Sequence, residues 1–582
     1  MSGSSARPPA GSDPEALVDL VRRSVIGETE AVQTPFGLRR VVYADYTASG
    51  RSLAFIEDHI RSVVLPLYAN THTETSGTGR QTTRFREDAR AIVAESFGAG
   101  DEHVVLFTGT GSTGAIDKLI RVLGLRIPTE LDDRFGFTRQ IPASQRPVVF
   151  IGPYEHHSNE VPWRETIAEV VTIPEDADGH VDLDALRSAL EATSDRPLRI
   201  GSFSAASNVT GILTDTRAVS VLLHRYGAWS FWDAAAATPY VDIDMAPHRP
   251  GPDGDTSESH LDHKDAVFVS THKLVGGPGT PGVLIARREL FTNRVPTVPG
   301  GGTVSYVNGS EHRYLDVIEQ REEGGTPDIV GAIRAGLVFQ LRAAVGMEVI
   351  QAHEERAIGR AIAAWAGEPA LEVLGNPRAE RLSIVSFVIR HGSGYLHHDF
   401  VVALLNDVFG IQARGGCSCA GPYVHRLLGI DAARSHAFEQ AIVGGCEGIK
   451  PGWVRVNFTW FLTDPVVDFI VEAVRAIARD GWRLLDHYRF DPLTGRWTHR
   501  DGRVPPPMSL RDVRYDASGI DWPQTRLQLA DGELDEVLTA GRAILADARP
   551  REDVTGDPAL APEAEALRWF PLPGEGAVRP SA

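Results

Sequence analysis

Val104-Val105-Leu106-Phe107-Thr108-Gly109-Thr110-Gly111-Ser112-Thr113-Gly114 decides the fold class. A short apolar run passes into a glycine-rich turn, and Ala115 to Leu123 continues with helical spacing. Strand, tight turn and helix form the repeating unit of an α/β protein. Glycines let backbone N–H groups approach an anion, the helix N-terminus adds a positive dipole end, and Ser112 and Thr113 add hydroxyls. Read literally, the turn is G-x-G-x-x-G, the dinucleotide fingerprint. That reading needs a second strand ending in an acid ~20 residues on. Asp132 and Asp133 fall near that distance, but inside a polar, irregular stretch from Arg126 to Pro147. A phosphate other than a dinucleotide's suits the turn better; a tight turn with no ligand is the plain alternative.

Further apolar runs lie on either side. Val148–Ile151, Ile200–Phe203, Ala228–Trp232, Val267–Ser270 and Val283–Ala286 read as buried strands, and Phe85–Phe97 as a helix closed by Gly98. His248–Lys264 reads as a second surface insertion; its His248, His260 and His263 have a metal-like composition, but the acidic setting predicts a solvated loop. From Ala332 the texture changes. Ile333, Leu337, Val338 and Leu341 mark one face of a long helix, followed by a helix over Glu348–Trp365. Leu382–Ile389 and Val454–Phe458 read as strands, Phe400–Phe409 and Pro465–Ala478 as helices. The expected organisation is a flexible tail over 1–14, a large domain over 15–330 whose N-terminal part could pack on the small domain, a smaller α+β domain over 331–490, and an extension over 491–582. That extension carries one amphipathic stretch, Glu533–Ala546, and no recognisable motif.

Composition narrows the function. The 582 residues are 42% hydrophobic and 23% charged, an ordinary globular balance. A net charge of −19 argues against a broad basic face for nucleic acid or anionic lipid. Three cysteines cannot form a disulfide framework and fit a reducing compartment. The start of the chain has no apolar run of signal-peptide type, and no apolar stretch reaches the ~18–20 residues that span a bilayer. A soluble, cytoplasmic protein with neither membrane nor nucleic-acid partner is expected.

Two charged residues follow apolar runs. Ser230-Phe231-Trp232-Asp233 ends in a carboxylate, and Val267-Phe268-Val269-Ser270-Thr271-His272-Lys273 ends in a lysine. Alone, Asp233 could cap a helix and Lys273 could reach solvent. With a phosphate cradle they suggest pyridoxal 5'-phosphate, which needs a phosphate site, a lysine for its aldehyde and an acid on its ring nitrogen.

From about Tyr43 to Ala478 the chain resembles the class V aminotransferase and cysteine desulfurase family, selenocysteine lyase-like members included, of fold-type I pyridoxal-phosphate enzymes. Tyr43-Ala44-Asp45-Tyr46-Thr47-Ala48 is similar to the family's opening segment, and Glu155-His156-His157-Ser158-Asn159 with Pro162-Trp163 to its histidine motif. Ser207-Asn208-Val209-Thr210-Gly211, Glu323-Gly324-Gly325-Thr326-Pro327 and Gly300-Gly301-Gly302-Thr303 resemble three further family segments. The resemblance implies a large mixed α/β domain with a smaller α+β C-terminal domain. It implies that His156 stacks on the cofactor ring, Asn208 lies beside it and Asp233 holds the ring nitrogen. Ser112, Thr113, Ser270 and His272 would surround the phosphate, and Lys273 would carry the cofactor. Thr303 would be lent to the phosphate site of a neighbouring subunit, so a homodimer is implied. One departure stands out: Ala236 occupies the place of the glutamine that usually bonds the cofactor's phenolic oxygen.

Ala413-Arg414-Gly415-Gly416-Cys417-Ser418-Cys419-Ala420-Gly421-Pro422 resembles the family's cysteine loop. The resemblance implies that Arg414 grips the carboxylate of a small amino-acid substrate. Cys419, five residues on, would attack its sulfur or selenium and release alanine; Cys417 would relay the sulfur, and an acceptor protein could receive it. Other readings stay open. The cysteines could be small buried apolar residues, or could join Cys446 and His397 around a metal. Gly415-Gly416 reads as a mobile loop. The chain could also be an aminotransferase, epimerase or other lyase with no reactive cysteine. A nicotinamide oxidoreductase using the glycine-rich turn, and a non-catalytic scaffold on this same fold, are the competing classes.

Overall fold

The computed structural model describes residues 13–71, 73–249, 251, 254–502, 504–505, 508–523, 527–529, 534–551, 554 and 559–575. The chain divides into two compact units. The first holds residues up to Ile26, Tyr46–Glu354 and Arg378–Leu382; the second holds Gly27–Asp45, Glu355–Pro377 and the chain from Ser383. Of the tail expected over 1–14, residues 1–12 lie outside the described residues. Asp13 caps the helix Pro14–Ser24, accepting from the Glu15 N–H at 3.0 Å.

In the first unit seven strands form one sheet. In chain order they are β1 (His103–Thr108), β2 (Val148–Ile151), β3 (Glu169–Thr172), β4 (Arg199–Ser204), β5 (Trp229–Asp233), β6 (Ala266–Ser270) and β7 (Gly282–Arg287). Their spatial order is β1-β7-β6-β5-β4-β2-β3, and β7 alone runs against the rest. Central parallel strands are covered on both faces, which is why they read as unbroken apolar runs. β3 escapes that reading: it is an edge strand whose residues are half-buried or exposed. Open α/β sheets bind ligands outside the carboxyl ends of their strands. Thr108, Asp233 and Ser270 occupy those ends.

Helix α1 (Gly77–Ser96) starts eight residues before the expected Phe85, with Ser76 as its cap. Its buried face is Gly79, Thr82, Arg86, Ala89 and Val93, too polar to register as an apolar stripe. Glu323 joins this helix to β1: it accepts from the Phe107 N–H at 2.7 Å and pairs with Arg86 and Arg90. Helix α2 (Gly111–Val122) follows β1 directly, and α3 (Ile329–Val345) is capped by Asp328. The stretch read as irregular, Arg126–Pro147, holds two short helices, Thr129–Phe135 and Phe137–Gln140, and Asp132 is spent on the Thr138 N–H at 2.7 Å. The acid a dinucleotide site needs at a strand end is therefore missing from this stretch. Nor is His263 in a solvated loop: it stacks on His224 with centroids 3.9 Å apart, and both histidines face Asp265.

The second unit has a sheet of β8 (Leu371–Val373), β9 (Ile384–His391), β10 (Arg414–Gly416) and β11 (Trp453–Asn457) in the order β8-β9-β11-β10, all antiparallel. Helices α4 (His398–Phe409), α5 (Asp464–Asp480) and α6 (Leu534–Asp547) belong to the same unit. The early strand Val42–Tyr43 pairs with Ile411–Gln412 here. The segment beyond Asp491 is part of the core: Trp497, Leu534, Leu545 and Phe570 are buried with Phe400, Phe409 and Tyr488. Among the described residues no single helix is long and apolar enough to cross a membrane.

Candidate active site

The strand ends of the first unit assemble a polar cradle. The Ser112 N–H, at the start of α2, donates to Ser270 Oγ at 2.8 Å, joining the β1 turn to the β6 end. Gly111 has φ +57°, and a Cβ there would fall 2.7 Å from Ser270 Oγ. Only glycine leaves that space clear. Thr113 Oγ1 lies 2.6 Å from Ser158 Oγ, and the Ser158 N–H donates to His156 Nδ1 at 3.1 Å. His272 Nδ1 is 3.3 Å from Ser49 Oγ; burial, then the Lys273 charge, lowers the imidazole pKa to about 4. Its ring is therefore neutral at pH 7.

Lys273 closes the single turn Thr271–Lys273 after β6. Asp233 ends β5, is buried, and accepts from the Ala235 N–H at 2.9 Å. Burial raises its pKa, against the Ala235 bond, the Lys273 charge and Ser112. A carboxylate held in that state gains from a nearby cation. Asn208 is buried in the turn after β4, where Ser207 Oγ accepts from the Val209 and Thr210 N–H groups. Thr303 is buried and donates its hydroxyl to Gly300 O at 2.7 Å. Ala236 offers no side-chain donor.

Glu155 belongs to this cradle, although the sequence reading gave it no role. It is fully buried and accepts from the Ser204 N–H, Ser204 Oγ and Asn159 Nδ2 at 2.9, 2.6 and 2.6 Å. Burial raises its pKa to about 7, with the Asp233 charge adding to the rise. Its place at the head of Glu155-His156-His157 was the available signal.

The second unit carries the cysteines. β10 pairs with β11 so that Arg414 stands opposite Arg455. Between them is Asp45: Arg414 Nε donates to Oδ2 at 3.1 Å and an Arg455 NH2 to Oδ1 at 2.9 Å. Arg455 is buried, and burial, opposed by Asp45 and reinforced by Arg414, lowers its pKa. Cys419 is close enough to act on Arg455 electrostatically. No sequence motif announced Arg455, because the pairing joins residues far apart in the chain.

Gly415-Gly416 is not a free loop but strand β10. A Cβ on Gly415 would fall 2.3 Å from Asp399 Oδ1 and 3.2 Å from His398 Nδ1, so the glycine admits those side chains. The strand ends in a left-handed turn: φ is +49° at Ser418 and +56° at Cys419. Few non-glycine residues adopt that conformation. Ser418 Oγ accepts from Trp453 Nε1 at 3.1 Å, which anchors the turn from below. Cys419 is exposed and Cys417 half-buried. Both line an open cleft of about 580 Å³ with Asp45, Arg414, His398 and Lys450. His397 has both ring nitrogens engaged, by Gly448 O and the Asp399 N–H, so it is not poised as a ligand with the cysteines. Among the described residues, no cysteine joins a cluster of metal-ligating atoms.

Comparison with known proteins agrees with this geometry. The profile described as Aminotransferase class-V matches residues 42–435. A probable cysteine desulfurase of Mycobacterium leprae is 27% identical over 69% of this chain and 88% of its own length. One of Streptomyces coelicolor is 26% identical over 73% and 97%. Among solved structures, an apo cysteine desulfurase of Thermococcus onnurineus superimposes with a TM-score of 0.61 at 21% identity, covering 82% of this chain and all of that one. The cysteine desulfurase CsdA of Escherichia coli gives 0.57 at 23%, covering 80% and 98%. With two thirds of its length under the family profile and the fold of those enzymes, the chain belongs to the class-V aminotransferases.

Proposed function

We propose that the protein is a pyridoxal-phosphate-dependent cysteine desulfurase or selenocysteine lyase, moving sulfur or selenium from an amino acid to Cys419 and releasing alanine. The observation that carries the reading is the pair of arginines near Cys419: Arg414 on the strand that leads into its turn, and Arg455 opposite it on β11. The names of the relatives agree with it.

The cradle fits the cofactor. Ser112, Thr113, Ser270 and His272 suit a phosphate, with Gly111 leaving the space clear. Asp233 suits a protonated ring nitrogen, His156 a ring face, Asn208 a ring substituent, and Lys273 the aldehyde. When bound, the cofactor supplies an electron sink for the bonds to the substrate's Cα. The residues do the rest. Arg414 and Arg455 hold the carboxylate, the bidentate geometry at which arginine excels. Lys273 Nζ takes the Cα proton. Cys419 Sγ, as thiolate, attacks the substrate sulfur; an S–S bond forms, the Cβ–S bond breaks, and protons returned to carbon complete alanine. Cys417 stands two residues away as a relay, from which a thiol acceptor, small or protein-borne, takes the sulfur. Thr303 is assigned to the phosphate site of a second copy in a homodimer, and the protein to the cytoplasm.

The test is to supply cysteine or selenocysteine to the purified protein with excess dithiothreitol, the thiol reductant that frees the chalcogen from the enzyme, and to measure sulfide or selenide together with alanine. Equimolar alanine and chalcogenide is the expected result. Keto acid without sulfide would instead establish an aminotransferase.

A further inference from the structure

Two guanidinium groups and one carboxylate make up the Arg414, Asp45 and Arg455 cluster, so its formal charge is +1. Asp45 gives one oxygen to each arginine, at 3.1 and 2.9 Å, and therefore cancels one charge without capping either group alone. The Arg455 side chain is 3% exposed, Asp45 13% and Arg414 45%. Arg455 and Asp45 are sheltered and so weakly screened, and the net charge of the group decides which anions it favours. The structure places Asp45 at the end of the segment Gly27–Asp45, next to the strand Val42–Tyr43 that pairs with Ile411–Gln412. That pairing fixes it at the arginines.

We propose that Asp45 is a specificity-determining residue: by holding the carboxylate-binding arginines at a net charge of +1, it selects amino acids with one carboxylate and an uncharged side chain over those with a second anionic group. This rests on the proposed function, in which Arg414 and Arg455 receive the substrate carboxylate. A thiol, neutral near pH 7, passes the filter; a sulfinate or a second carboxylate meets a site whose positive charge is already matched. At an effective dielectric near 20, one unit of charge about 6–7 Å from a second anion changes affinity about a hundred-fold, and solvent at the exposed Arg414 trims this to about ten-fold.

The experiment measures binding of L-alanine, L-cysteine sulfinate and L-aspartate to the holoenzyme through the change in its visible absorbance, and takes the ratio of dianion to monoanion dissociation constants. Asp45→Asn should lower that ratio about ten-fold, and Asp45→Glu, which restores the charge, should return it toward the wild-type value. A merely structural role would weaken both ligand classes alike, leaving the ratio unchanged, and that result overturns the proposal. Should Asp45→Asn fail to fold, Arg414→Gln lowers the net charge to zero and must raise the ratio; a constant or falling ratio again overturns it. A wild-type holoenzyme that binds amino acids but yields keto acid removes the desulfurase reading and leaves the Asp45 ratio still decisive. One that binds none of the three removes both.

Discussion

The Ser112 N–H donates to Ser270 Oγ across 2.8 Å, so the first turn of α2 and the last residue of β6 are a single piece of structure. Gly111 lies against the same hydroxyl. Gly111→Ala forces a side chain into the left-handed region and into Ser270, and should cost cofactor affinity about ten-fold or more. Cofactor retention after dialysis, read by visible absorbance, checks this; full retention would remove the turn from the phosphate site.

Lys273→Ala should abolish cofactor that borohydride fixes to the chain. Lys273 closes the single turn that follows β6, within reach of the charge of Asp233. Peptide mapping of the reduced wild-type protein should find the label there. A label on another lysine would overturn the assignment.

Asp233→Asn should keep cofactor bound and lose most turnover, roughly a hundred-fold or more, since an amide cannot stabilise a proton on the ring nitrogen. Its carboxylate is buried with its pKa raised, so the substitution removes charge without opening a cavity. Absorbance reports binding and alanine release reports turnover. Near-normal turnover would exclude the carboxylate from catalysis.

Cys419→Ser should abolish sulfide release, while Cys417→Ser slows turnover and leaves the first added sulfur on Cys419. The exposed thiol beside Arg455 is Cys419; Cys417 is half-buried. Mass spectrometry after one turnover locates the sulfur. Its presence on Cys417 alone reverses the roles.

Asp265 gives a stability prediction independent of catalysis. Burial raises its pKa, but hydrogen bonds from His224 and His263 and the Ser230 N–H outweigh that and bring it to about 2, from a usual 3.8. A carboxylate with a depressed folded-state pKa contributes stability above about pH 4 and loses it as pH falls toward 2. The contribution is on the order of 2 kcal/mol. In denaturant titrations of the wild type and Asp265→Asn, the stability gap should narrow by that amount between pH 5 and pH 2. A gap independent of pH would show that the carboxylate's charge plays no part.

What could be read from the sequence followed burial. β2, β5 and β6 were legible because both faces of each are covered, so their apolar runs are unbroken. Lys273 and Asp233 were legible as charges at the ends of such runs. β3 was not, since an edge strand of Glu169-Val170-Val171-Thr172 looks like a loop. Nor was β10: Arg414-Gly415-Gly416 has no β-forming residue, and only its ladder with β11 and the crowding by Asp399 make it a strand. The partnership of Asp45 with Arg414 and Arg455 joins three distant segments and has no local signature. The segment after Asp491 hid its role because its core residues, Trp497 and Phe570 among them, are too sparse to form a period.

The bond from Trp453 Nε1 to Ser418 Oγ gives this protein an optical reporter of its own. The indole is fully buried and its one donor is spent on the residue between the two cysteines. Any chemistry that reshapes the Cys417–Cys419 turn must stretch or break that bond and alter the emission of Trp453. Arrival and departure of sulfur can then be followed in real time without an added dye, with Trp453→Phe supplying the blank.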